Sequence, residues 1–280
     1  MQTRIGFSLQ AQYDRPVTQV IPLLKEHGFS AVSPLWTPEL DLTSLSACVN
    51  AHGMAIQSLH APHKGIVFLW EPDSPASMEA KQRILCSLEA CARFQIPILV
   101  MHGWQGFHYS FHAAALNFRF FDTLVQRAQR LGVCIAFENL EGEEYLDALL
   151  TRYRGSSHVG FCWDSGHAHC YPHKTDFLKA YGDRLIMTHL NDNFGLRAVD
   201  GTPSGNDDLH FLPYDGNLDW SHALTELKHA PKQDILNFEL KTHSHSAAPQ
   251  DLRYAASPLE QFIAAAGTRA RQIAEAYDAV

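Results

Sequence analysis

Short apolar runs and amphipathic stretches alternate along the whole chain. Residues 4–9 (Arg-Ile-Gly-Phe-Ser-Leu) predict a first strand. A helix follows from about Pro16, with proline at its start and Gly28 after its end. Residues 31–36 predict a second strand, and 42–53 a second helix that stops at His52-Gly53. A third strand covers 55–62, and a proline-rich loop leads to a long helix over 75–95 with apolar positions at Ile84, Leu85, Leu88 and Cys91. Residues 97–102 (Pro-Ile-Leu-Val-Met-His) are a continuous apolar run, as expected of a strand covered on both faces. The pattern then predicts helix 112–131 closing at Gly132, strand 133–138, helix 143–153, strand 158–164 and a short helix near 175–182. Strand 184–189, a long polar loop over 191–217, helix 219–230 capped by Asp219, strand 233–239 and a last helix over 258–278 complete it.

Eight strands thus alternate with eight helices, and repeated βα units specify a parallel sheet with helices outside. That number in this length predicts the α/β class and a single (β/α)₈ TIM barrel over residues 1–280. A doubly wound sheet would place a glycine-rich fingerprint after the first strand, and Gln10-Ala11-Gln12-Tyr13 supplies none.

Composition sharpens this picture. Hydrophobic content of 46% and charged content of 19% are those of a folded globule, not a disordered chain. The net charge of −8 offers no basic surplus for a sequence-independent grip on nucleic acid. Histidine is abundant, at 17 residues, which points to metal or proton chemistry, although His27, His52, His222 and His229 fall on helix surfaces. The six cysteines form no C-x-x-C pair, so a reduced, cytoplasmic setting is expected. No signal-peptide core and no run long enough to span a bilayer is visible.

Six strands in succession end in an imidazole or a carboxylate: His60, His102, Glu138, Asp164, His189 and Glu239. His167 follows Asp164 on what reads as a loop, with Gly166 permitting a sharp turn. In a (β/α)₈ barrel chemistry gathers at these C-terminal strand ends. Carboxylates and imidazoles crowded there repel or desolvate one another unless a cation holds them, and the mixture suits a hard or borderline divalent ion. His63 competes with His60 for a place in the set, and His60 is preferred because it lies closer to its strand.

Phe137-Glu138-Asn139, Cys162-Trp163-Asp164-Ser165-Gly166-His167, His189-Leu190-Asn191-Asp192 and Phe238-Glu239 resemble the motifs of the xylose isomerase-like TIM barrel superfamily. That group holds sugar and sugar phosphate isomerases and epimerases, and apurinic-site endonucleases of the endonuclease IV type. The resemblance to the epimerases implies a divalent metal on Glu138, Asp164, His189 and Glu239. It also implies that the two glutamates handle the proton and that His167 touches substrate. Residues 208–216 resemble the endonucleases' Asp-x-His and glycine turn. By that analogy Asp208, His210 and His167 hold a further metal, and His60 with His102 another bridged by Glu138. One to three ions per chain are implied, of manganese, zinc, iron or magnesium.

The leading expectation is a metal-dependent isomerase or epimerase of a sugar, sugar phosphate or keto-cyclitol, working through a metal-stabilised enediolate. Glu138 and Glu239 would stand on opposite sides of the barrel mouth as base and acid, with His167, Arg197 and Trp104 holding substrate. Trp36, Phe107 and Phe7 are candidates for an apolar wall. The partner is then a small sugar or polyol, and a homo-oligomer is compatible with this. The rival is a trinuclear zinc phosphodiesterase. Against it stand the acidic Leu-Glu-Gly-Glu-Glu after Glu138, the bulky Tyr214, and the few loop cations, Lys64, Lys174, Arg197 and Lys241. A barrel that only binds sugar or metal is the third reading.

Overall fold

Parallel pairing joins the strands of the computed structural model, which describes residues 2–9, 13–244 and 246–279. Gln10–Gln12, read above as carrying no glycine-rich fingerprint, lie outside those residues. The strands are β1 (Arg4–Leu9), β2 (Ala31–Pro34), β3 (Ala55–Ile56), β4 (Ser58–His60), β5 (Ile98–His102), β6 (Cys134–Glu138), β7 (Val159–Asp164), β8 (Leu185–His189) and β9 (Ile235–Phe238). One run is ordered β3-β2-β1-β9 and the other β4-β5-β6-β7-β8. β3 and β4 are the single expected strand interrupted at Gln57, so the count of eight staves holds.

Two short bridges close the ring. Leu35 pairs with His60, and the Trp36 N–H is donated to the His60 carbonyl at 2.8 Å. Leu190 pairs with Phe238, and the Glu239 N–H is donated to the Leu190 carbonyl at 3.1 Å. The (β/α)₈ barrel expected from the repeat is therefore the fold.

The helices are α1 (Val17–Glu26), α2 (Leu42–Ala51), α3 (Pro75–Arg93), α4 (Arg119–Leu131), α5 (Glu143–Arg152), α6 (Ser165–Cys170), α7 (Phe177–Tyr181), α8 (Trp220–Leu227), α9 (Pro249–Ala255) and α10 (Leu259–Ala279). Outward strand residues such as Phe7, Phe137, Phe161 and Phe238 are fully buried against this layer. Each such side chain stabilises the fold by about 1.5–3 kcal/mol.

Three local expectations need correction. α4 starts at Arg119 instead of 112, where the Asn117 side chain accepts the Arg119 N–H at 3.2 Å and offers the chain a beginning. His167 lies on a helix, α6, not a loop, because Asp164 caps that helix by accepting the His167 N–H at 2.7 Å. Gly166 makes no left-handed turn; a Cβ there would come within 1.9 Å of Asn191 Oδ1, so the position is one of close approach.

The two ends of the polar loop over 191–217, residues 191–195 and 207–213, are mostly buried, and its middle is not. Asp192 is 1% exposed and gathers four donors: the N–H groups of Asn193, Tyr214 and Leu218 and the indole of Trp220, all at 2.9–3.1 Å. Burial pushes its carboxyl up, the four donors pull against that, and together they organise the chain around it.

Strand alternation divides the barrel interior in two. Beneath the strand ends of β5 to β8 lie Val100, Ala136, Cys162 and Met187, a closed apolar cluster. Beneath β1, β2, β4 and β9 lie Ser8, Ser33, Ser58 and Asn237, all buried.

Candidate metal centre

Each strand end delivers its side chain because residues two apart share a face. Val100 and His102, Ala136 and Glu138, Cys162 and Asp164, and Met187 and His189 are such pairs. An apolar floor thus carries a polar rim. The rim converges on Glu138, which is 1% exposed. Its Oε2 lies 3.2 Å from His60 Nε2 and 3.4 Å from His102 Nε2, and its Oε1 lies 3.0 Å from His189 Nδ1 and 3.4 Å from His167 Nδ1. His189 Nδ1 is also 2.7 Å from Glu239 Oε2. Asp208 Oδ2 sits 2.6 Å from His210 Nε2 and 3.4 Å from His167 Nε2.

Three sets of ligand atoms each lie within 4.8 Å: Glu138, Asp164, His189 and Glu239; His60, Glu138 and His189; and His167, Asp208 and His210. These donors fit divalent cations, because outer contacts already fix their orientation. His60 Nδ1 faces the Ala61 carbonyl at 2.7 Å, His167 Nδ1 the Asn139 carbonyl at 2.9 Å, and His210 Nδ1 the Glu239 carbonyl at 3.1 Å. A carbonyl only accepts, so each Nδ1 is the donor there, and each Nε2 is the atom turned toward a cation. Asp208 Oδ1 and His102 Nδ1 are buried with no hydrogen-bond partner among the described residues. Asn139 braces the centre by bonding the Asp164 backbone from both sides, each at 2.8 Å.

Crowding shows in the acid–base balance. Burial, reinforced by Glu138, Asp208 and Glu239 against the pull of His167, pushes the Asp164 carboxyl up to about 6. Burial opposes the charge of Glu138 too, yet His189, His102 and His167 hold it well below the usual carboxylate range. His189, against its burial, is held well above the usual imidazole range with Glu138 and Glu239 beside it.

A model described as Xylose isomerase-like TIM barrel matches residues 21–261. The chain belongs to that family. An uncharacterised protein, y4fM of Sinorhizobium fredii, is 37% identical over 164 residues, 55% of this chain and 49% of its own, so the chain matches about half of that relative's length. Among solved structures, the IolI protein with a bound zinc atom superposes at a TM-score of 0.77 with 18% identity, covering 98% of this chain and 99% of that one. A D-tagatose 3-epimerase-like protein superposes at 0.71 with 18% identity, covering 99% and 97%. At these identities the likeness is one of fold.

Within this xylose isomerase-like barrel a cavity of about 640 Å³ opens over the centre. His60, His102, Glu138, His167, Asp208, His210 and Glu239 line it. Asp164 and His189 lie deeper. Glu138 and Glu239 do not stand on opposite sides of the mouth; both reach His189 Nδ1, at 3.0 and 2.7 Å. His63 is outside the ligand groups and stacks on His102 at 6.0 Å.

Two expected substrate residues are placed away from the cavity lining. Trp104 stacks on Tyr145 at 4.1 Å and donates its indole N–H to the Gly106 carbonyl. Arg197 pairs with Asp207 at 2.9 Å. Phe7 packs between Phe29 and Phe262, outside the barrel interior. Phe107 packs against Tyr171. Of the four nominated cations, Lys241 alone lines the cavity.

Sequence reasoning missed Tyr171, stacked on His167 at 5.6 Å, together with Ser8 and Ser33 in the lining, whereas the acidic segment after Glu138 that it singled out does bring Leu140 and Glu141 there. Period-two alternation around the strand ends carried the signal for the serines.

Proposed function

We propose that this protein is a divalent-metal-dependent isomerase or epimerase of a sugar, sugar phosphate or keto-cyclitol. Residues 1–280 act in this reading as one cytoplasmic domain on a small molecule. The observation that carries it is the convergence of Glu138 and Glu239 on one imidazole within the four-ligand group. Glu138, Asp164, His189 and Glu239 would hold the cation. Bound there, it supplies positive charge that makes the hydrogen beside a substrate carbonyl easier to remove. Glu138 and Glu239, both held ionised, are the groups that take up and return that proton. Asn139 and Asn191 fix Asp164, and His167 orients substrate oxygen from α6. Leu140, Leu240 and Tyr171 exclude water from the mouth.

Ketoses and inositol ketones incubated with the metal-loaded protein in deuterated water are expected to gain carbon-bound deuterium. No exchange across the panel, by mass spectrometry, sinks the proposal. Glu239→Gln is expected to abolish exchange.

One observation favours the phosphodiesterase reading: the second group, His167, Asp208 and His210. Glu141, a lining carboxylate outside the ligand groups, and the single lysine among the described lining residues, Lys241, weigh against a phosphate backbone. Nicking of abasic DNA by a protein carrying three zinc ions would reverse the ranking.

A further inference from the structure

One side of the cavity takes no part in the centre. There β1 and β2 place Ser8 and Ser33 as direct partners in the parallel register. Both line the cavity, at 9% and 3% exposure. Ser8 Oγ accepts the Asn237 side-chain amide at 2.8 Å, and Asn237 is itself fixed by donating its backbone N–H to Thr188 Oγ1 at 3.0 Å. That bond occupies Ser8 as an acceptor and leaves its O–H to donate. Ser33 Oγ has no hydrogen-bond partner among the described residues.

A buried hydroxyl left unpaired is unfavourable, and a ligand oxygen arriving at it removes that penalty. Adjacent strands stand about 4.8 Å apart, so the pair addresses neighbouring hydroxyls of one small molecule. The charge around the cavity selects further. Lys241 is the single lysine or arginine among the described lining residues, and the serine pair offers neutral hydroxyls alone, a match for another hydroxyl and a poor one for a phosphate ester.

We propose that Ser8 and Ser33 form a hydroxyl-binding subsite for the end of the substrate remote from the metal ligands, and that this end is an uncharged polyol. The inference rests on the sugar reading above and narrows its substrate class.

Sorbitol serves as the binding probe, titrated calorimetrically into the manganese-loaded protein. Ser33→Ala is expected to weaken sorbitol about tenfold, the loss of one hydrogen bond, with Tm unchanged because Oγ bonds nothing in the fold. Wild-type protein is expected to bind sorbitol 6-phosphate at least about tenfold more weakly than sorbitol, a comparison needing no variant. Equal sorbitol binding by wild type and Ser33→Ala, no binding by wild type, or preference for the phosphate overturns the subsite. Sorbitol binding that depends on Ser33 without deuterium exchange in any ketose supports the subsite and sinks the isomerase reading. Exchange with the same KM in wild type and Ser33→Ala does the reverse.

Discussion

The interior of this barrel is two rooms built from the same repeating unit. Under β5 to β8 the floor is Val100, Ala136, Cys162 and Met187, and the side chains above it are ionisable. Under β1, β2, β4 and β9 the floor is hydroxyl and amide, and Ser33, Ser58 and Asn237 each keep an oxygen without a partner among the described residues. The apolar floor lowers the local dielectric beneath the charged rim and strengthens every contact there. The polar floor spends stability to keep groups that a hydroxylated molecule could use. The ionisable rim is thus concentrated over the apolar wall, with His60 and Glu239 reaching it from β4 and β9, and β1 and β2 are left free of it.

Variants break or sharpen this contrast, the largest effect first. Glu138→Gln removes the carboxylate on which four imidazoles converge and is expected to lower turnover at least about 10³-fold. Deuterium exchange rates check it, and a loss under tenfold would mean the ionisable wall is not where the chemistry sits.

Met187→Ala, on the apolar floor, is expected to cost about 2–5 kcal/mol in urea denaturation. The counterpart on the polar floor, Ser58→Ala, deletes an oxygen that bonds nothing in the fold, so stability should move by less than about 0.5 kcal/mol. Equal losses at the two sites would erase the distinction between the floors.

The smallest effect concerns how β1, the first strand of the polar wall, is tied to α10. The Thr3 N–H and hydroxyl donate to Asp278 at 2.8 and 2.7 Å, and with Lys232 they hold its carboxyl at about 2, below its ordinary 3.8. The folded value is the lower one, so the contribution is complete above pH 3.8 and is lost as pH falls through 2. Asp278→Asn should flatten that part of the acid limb in denaturation midpoints, and an unchanged limb would contradict the assignment.

Much of this was legible in the chain. Alternation of apolar runs with helical stretches fixes eight staves, and the terminal residue of each run marks the rim, so Glu138, Asp164 and His189 follow from pattern alone. What escaped detection did so for physical reasons. α6 is six residues long, too short for periodicity to register, and its cap is also a candidate ligand. The 191–217 loop reads as solvated throughout because its Asn and Asp are polar, whereas its first residues, Asn191 to Asn193, are buried, with four hydrogen bonds on Asp192. Trp104 and Arg197 look available in sequence, since stacking on Tyr145 and pairing with Asp207 depend on contacts made across the fold.

The closure between β8 and β9 has a consequence of its own. It is a seam of few bonds, Leu190 N–H to the Asn237 carbonyl at 2.9 Å and Glu239 N–H to the Leu190 carbonyl at 3.1 Å. His189 and Glu239 stand on its two edges, 2.7 Å apart at their tips. An ion gripped by both acts as a clasp, so stripping it with a chelator should let the ring breathe there first. Amide hydrogens of Leu190 and Glu239 would then exchange with solvent sooner than those of β6, while the remaining hoops of the barrel stay shut.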